Sequence, residues 1–294
     1  MKNFNEIYEK IYRQSGEKLE NARKRRVSQI KVSVIIVIAF MILLMVAFKS
    51  VSVLIALLPI LIFIVVIFSL KGNEYSNIFK KEVISVLVKE YSKTLDYLPQ
   101  RGLSSSIYDK GMFEGYDRYR SEDLITGVLD GHEINMAEVH TQDESTDSEG
   151  HTSTTTVFYG LFAEVKLDRE IPTVIRIRRN GLSLFGNKEK IEMDSGEFEK
   201  IFNVYAKDKI IAMQLLTADV MQMFIDFKND NKLTPEFTIY NNNLYIRFEA
   251  GDVFEAKLSK KAMDYEVLKK HYDMIHFILR LVEEILKNIK EIEI

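Results

Sequence analysis

The residues that could carry chemistry in this chain are few, and their spacing is wrong for most of it. His132-Glu133 opens like the helical motif of zinc proteases, but Met136 stands where the second histidine is needed, and the segment reads as a strand. His271 and His276 lie five apart on a helix, which turns them about 140° from each other, unsuited to a shared metal. Gly181 and Gly186 have the spacing of a phosphate-binding loop. Asn187 replaces its lysine, however, Lys188 comes one position late, and Glu189 puts a phosphate-repelling carboxylate where a hydroxyl belongs. The absence of cysteine excludes disulfides, thiolate metal sites and thiol nucleophiles together. Asp143, Glu144, Asp147 and Glu149 lack the spacing and the central glycine of a calcium loop. No catalytic set, cofactor site or metal site emerges.

Two basic groups remain. Arg176, Arg178 and Arg179 form a knot in an otherwise acidic region; they could meet an anion or a partner's carboxylate, or lie on a solvated strand face. Arg23, Lys24, Arg25, Arg26 and Lys31 precede a long apolar block and could touch anionic lipid. Ahead of them Phe4, Ile7, Tyr8, Ile11, Tyr12 and Leu19 recur at helical spacing. That stripe suits either a membrane interface or the chain's own folded domain.

The elements that must position these groups follow from charge and hydropathy. Residues 1–31 hold nine Lys or Arg against four Asp or Glu, whereas residues 71–294 hold thirty against thirty-nine. An acidic domain argues against a nucleic-acid partner, since phosphate neutralisation supplies most of such affinity. Residues 32–48 and 51–70 are apolar runs of roughly 26 Å and 30 Å at helical rise, each matching a bilayer core. A turn at Lys49-Ser50 makes them a two-helix transmembrane hairpin, with Pro59 tolerated inside the second span. Lys71, Lys80 and Lys81 follow that span, so the flanking charges put both termini in the cytoplasm.

Beyond the membrane, 74–97 reads as a helix. Strands are expected at 123–129 and 132–140 around Asp130-Gly131, then at 157–167, 173–178 and 202–205. A helix over 209–228, broken and capped at Thr217, precedes a hairpin of 237–240 and 244–248 around Asn241–Asn243. A last strand at 253–258 and a long helix from Asp264 close the chain. In that helix Val267, His271, Met274, Ile278, Leu281, Ile285, Asn288 and Ile292 are spaced like a coiled-coil seam, which Ile275, Val282, Leu286 and Ile289 widen into a face for packing within the chain. Residues 141–156, almost wholly Ser, Thr, Asp and Glu, read as a flexible acidic loop.

The order of these elements resembles the bacterial "domain of unknown function 3137" family. The likeness shows in the early membrane pair, in Glu122-Asp123-Leu124-Ile125-Thr126-Gly127, in Val157-Phe158-Tyr159-Gly160-Leu161-Phe162, and in Glu197 to Tyr205 with Leu215-Leu216-Thr217 downstream. The resemblance implies the same architecture and supplies no activity, since the family is itself uncharacterised.

The expected architecture is α+β: a basic amphipathic arm (1–31), a transmembrane hairpin (32–70), and a cytosolic domain (71–294) of antiparallel sheet and packed helices. The expected function is a binding or regulatory module anchored in the cell membrane, with the bilayer and another protein as partners and self-association disfavoured. The alternative is a membrane-tethered hydrolase or lipid-modifying enzyme whose site is assembled from scattered residues.

Overall fold

The computed structural model describes residues 3–48, 74–181 and 189–292. The second expected span (51–70), the turn at Lys49-Ser50 and most of the glycine-bearing turn (182–188) lie outside the described residues. The chain divides into two compact units, one of Met1–Phe4, Ile84–Phe254 and Lys269–Ile294, the other of Asn5–Val83 and Glu255–Leu268. The expected 71–294 domain is thus shared between the two.

In the second unit, helix α1 runs unbroken over Phe4–Phe48. The expected arm and first span are therefore one helix whose halves differ in chemistry. In the first half Ile7, Ile11, Ser15, Leu19, Ala22 and Arg26 are buried at three- and four-residue steps. Tyr8 donates to the carbonyl of Met263 (2.9 Å), and Ser15 and Lys18 donate to Glu82 (2.7 and 2.5 Å). The stripe thus packs on its own chain. In the second half Ile35, Ile36 and Leu43 are exposed, and the helix is long and apolar enough to cross a membrane, with a mean hydropathy of 2.0 over its most apolar window.

Helix α2 (Glu74–Phe79) continues through a π-helical turn (Lys80–Ile84) into α3 (Ser85–Tyr91). The helix expected over 74–97 ends early. Ser92 turns extended, and Leu95–Leu98 becomes strand β1, because Leu95 pairs with Gly127, whose missing side chain lets the Thr94 carbonyl approach.

The first unit is built on one sheet. Helix α4 (Ser105–Asp109) precedes β2 (Arg118–Leu129), β3 (His132–Thr146), β4 (Thr152–Lys166), β5 (Ile175–Arg179) and β6 (Lys190–Ile191). After α5 (Gly196–Ile201) come β7 (Phe202–Ala206), α6 (Lys209–Leu215), α7 (Ala218–Asn231), β8 (Glu236–Tyr240), β9 (Asn243–Glu249) and α8 (Tyr265–Glu291). Among the described residues nine strands form an antiparallel sheet in the order β1-β2-β3-β4-β9-β8-β5-β7-β6. The α+β class and the antiparallel sheet are as expected. So are the turns: Asp130 and Gly131 both have positive φ (50° and 89°), as a tight hairpin demands, and Asn241 has φ 54°.

Local side chains start the helices. Ser195, Asp208, Thr217 and Asp264 each accept a backbone N–H three residues on, including the expected break at Thr217. On one sheet face Phe224 and Phe227 of α7 and Phe277 of α8 pack with Phe237 and Phe248. On the other, Leu103 and Tyr108 cover Ala137, Val139, Phe158, Phe162 and Tyr245. The C-terminal seam is buried within the chain: Ile278, Leu281 and Ile285 have no exposure, and Asn288 donates to the Leu215 carbonyl at 3.0 Å. A broad stripe covered by its own domain is the packing expected of a surface helix.

Two expectations need correcting. Residues 253–258 form no strand; the Val253 N–H is spent on Glu138 Oε2 (2.7 Å) rather than on a ladder. Residues 141–156 are mostly paired: Gln142 faces Thr156 and Thr146 faces Thr152, leaving only 147–151 as a turn. Composition pointed to disorder because nothing apolar is present, yet hydroxyl pairs such as Ser145–Ser153 (2.8 Å) and the β-branched threonines suit a ladder. The result is an exposed two-stranded ribbon.

Candidate functional site

Strand alternation puts Arg247 of β9 on the same face as Tyr245, and the β8–β9 register sets it opposite Glu236. Its guanidinium is buried at the floor of a cleft of about 280 Å³ that opens where β4 outruns β9. Arg247 bonds Glu236 through Nε (2.8 Å) and Nη2 (2.6 Å), meets Glu114 through Nη2, and donates through Nη1 to the Tyr108 hydroxyl at 2.6 Å. It also lies 3.9 Å from the Phe113 ring centroid. Burial works against the charged form of Glu114, but the charge and hydrogen bond of Arg247 outweigh it and its pKa falls. Burial also opposes the charge on Arg247, and Glu236, Tyr108 and Glu114 more than restore it.

Arg178 lies behind this network. It is buried and donates to the Phe237 carbonyl (2.6 Å), Thr238 Oγ1 (2.8 Å) and the Met112 carbonyl (3.1 Å), while burial brings its pKa down to about 10. The two arginines pin the 108–116 segment to the sheet.

The rim differs. Arg179, Lys228 and Lys232 line it with one carboxylate, Glu249, and the walls are apolar: Val157, Phe158, Leu233 and Phe248. Lys228 lies in the last turn of α7 and Lys232 caps it, and both line the cleft. Lys232 has φ 60°, a left-handed helix cap that glycine fills most readily; a side chain there costs on the order of 1 kcal/mol. Its ammonium donates to the Asn229 carbonyl at 2.6 Å and keeps two further donors.

Of the expected knot, only Arg179 faces the cleft. Arg176 pairs with Glu189 at 2.6 Å, and Arg178 is buried rather than solvated. The membrane-proximal cluster also divides. Arg23 bonds Glu20 (2.6 Å) and the Leu258 carbonyl (3.1 Å) and Arg26 is buried, whereas Lys24, Arg25 and Lys31 are exposed. His132 sits in β3 with Nδ1 3.0 Å from the Lys166 carbonyl. His276, half-buried, packs edge-on against Tyr91. No group of three or more His, Asp or Glu able to hold a metal exists among the described residues.

A second cluster surrounds Glu138. Burial, then Asp252 and Asp123, push its carboxyl up to about 7 against the lowering hydrogen bond from Val253. His140 stacks on Tyr159 at 4.4 Å beside it. Sequence reading missed Arg247, Glu114 and Glu236. A signal existed: counting back from the Asn241-Asn242 turn puts Glu236 opposite Arg247, a buried-strand ion pair readable from register alone.

Residues 156–287 match the family model described as "Protein of unknown function (DUF3137)". No curated protein matches the sequence. One solved structure aligns, described as the crystal structure of the mycobacterial trehalose monomycolate transport factor A, TtfA. It covers 69% of this chain and 94% of its own, at 8% identity and a TM-score of 0.34, too low a likeness to carry function from one protein to the other.

Proposed function

We propose that the protein is a membrane-anchored binding module, held in the bilayer by two spans (32–48 and 51–70) with both termini in the cytoplasm, and presenting the Arg247 cleft to a ligand. The observation that carries this reading is the locking of Glu114 and Glu236 onto Arg247. A general base needs a pKa near the working pH and a free lone pair. Glu114 is instead driven below its ordinary value and clamped in an ion pair, so the interior of the cleft is built to hold a shape, not to move a proton. No histidine or serine lines the cleft among the described residues, which leaves it without an imidazole base or a serine nucleophile. The apolar half of α1 supports the anchor: Val32, Ile35, Ile36, Ile38, Ile42 and Leu43 are exposed, and such a surface is stable only in an apolar medium.

The test is topological and biochemical. Membranes carrying the full chain are washed with alkaline carbonate, and Gln14→Cys and Ser259→Cys, at exposed positions in a chain without natural cysteine, are probed with an impermeant thiol reagent in intact cells. Retention on the membrane with labelling only after lysis supports the reading. Release by carbonate, or labelling of either site without lysis, overturns it.

A further inference from the structure

The charges around the cleft do not balance. In the interior, Arg178 and Arg247 stand with Glu114 and Glu236, two cations with two carboxylates. On the rim, Arg179, Lys228 and Lys232 face Glu249 alone, so two positive charges are left over. Among the described residues neither Arg179 nor Lys228 bonds a carboxylate, and Lys232 bonds only a carbonyl, retaining donors to give. Lys232 also holds a backbone conformation that suits glycine better, and a lysine kept where the local rule favours another residue points to its side chain being needed. The volume of about 280 Å³ lies at the small end of ligand pockets. Val157 and Phe158 offer an apolar wall to whatever the charged group is attached to.

We propose that this cleft binds a phosphomonoester dianion, gripped by Arg179, Lys228 and Lys232 above the Arg247 floor. A dianion matches the excess of two charges, and a tetrahedral phosphate presents acceptors to donors converging from β5 and from the end of α7 at once. A single carboxylate offers one charge and a planar pair of acceptors, and so satisfies fewer of them. The phosphate can belong to a soluble compound or to a lipid headgroup; both present the same group to the same cations. The inference names the ligand class of the binding module proposed above and so rests on that reading, yet it is measured separately from membrane retention.

The test uses the full chain in detergent micelles, titrated calorimetrically with glycerol 3-phosphate as the soluble probe and dioctanoyl phosphatidic acid as the lipid probe. Saturable binding of at least one probe is expected, weakened tenfold or more by Arg179→Gln/Lys228→Gln/Lys232→Gln. A charge-matched control, Lys257→Gln/Lys260→Gln/Lys270→Gln, changes exposed lysines that do not line the cleft and should bind as the natural chain does. Binding of the soluble probe alone assigns a metabolite, and of the lipid alone a headgroup; both outcomes support the proposal. Lys232→Gly is the second variant, because it relieves the cap and cannot fail for want of stability: it should melt higher and bind more weakly. No saturable binding of either probe overturns the proposal, as does equal weakening in the control, or undiminished affinity in Lys232→Gly. Loss of the anchor would show instead as carbonate release with cleft binding intact.

Discussion

The carboxylate of Glu138, in the middle of β3, accepts the backbone N–H of Val253 at 2.7 Å, at the point where the chain leaves the sheet after β9. Buried and flanked by Asp123 and Asp252, it keeps its proton up to about pH 7 in the folded protein. A carboxyl whose folded pKa is raised contributes stability that is complete below its unfolded value and lost as pH rises through the folded one. Glu138→Gln should therefore match the natural chain near pH 4.5 and exceed it at pH 9 by up to roughly 3 kcal/mol, on about 1.4 kcal/mol per pKa unit. Urea unfolding across that range measures it; parallel curves for the two proteins would refute the raised pKa.

Arg247→Met should be among the most damaging single changes in the sheet. It strands Glu114 and Glu236 as uncompensated charges, which costs about 3–5 kcal/mol at neutral pH. Since the stranded carboxylates can take up protons, the deficit should shrink at pH 5. A deficit that is constant with pH would mean that lost packing on Phe113, not lost charge, is responsible.

Limited proteolysis should cut the ribbon at 147–151 while 142–146 and 152–156 keep slow amide exchange through their mutual hydrogen bonds. Fast exchange throughout 142–156 would restore the flexible loop read from composition.

Leu281 is wholly enclosed in the first unit. Leu281→Ala should lower stability by about 2–5 kcal/mol through the cavity it leaves. Light scattering on the same samples gives the mass. An unchanged melting temperature accompanied by dissociation of a dimer would assign the seam to a second copy of the chain.

Legibility in the sequence followed the range of each signal. Turns and caps are local: Asp130-Gly131, Asn241 and Thr217 announce themselves because their side chains or φ preferences act within three residues. Strand β1 was hidden, since Leu95–Leu98 continues an apolar helical pattern and becomes a strand only by pairing with Gly127. The ribbon was missed for the same reason, its order coming from cross-strand hydroxyls rather than burial. Arg179 was legible as a cation; that Lys228 and Lys232 join it depends on where α7 ends against the sheet, a tertiary fact.

The unbroken course of α1 has a geometric consequence. A helix advances about 100° per residue, so the buried face at Ile11, Ser15 and Leu19 and the apolar half beyond Val32 share one angular phase. One residue added near Gln29 would swing one half about 100° around the axis relative to the other, whereas seven would bring them back to within about 20°. The junction should accept an insertion of seven more readily than a single one, like a gear that meshes only at certain teeth.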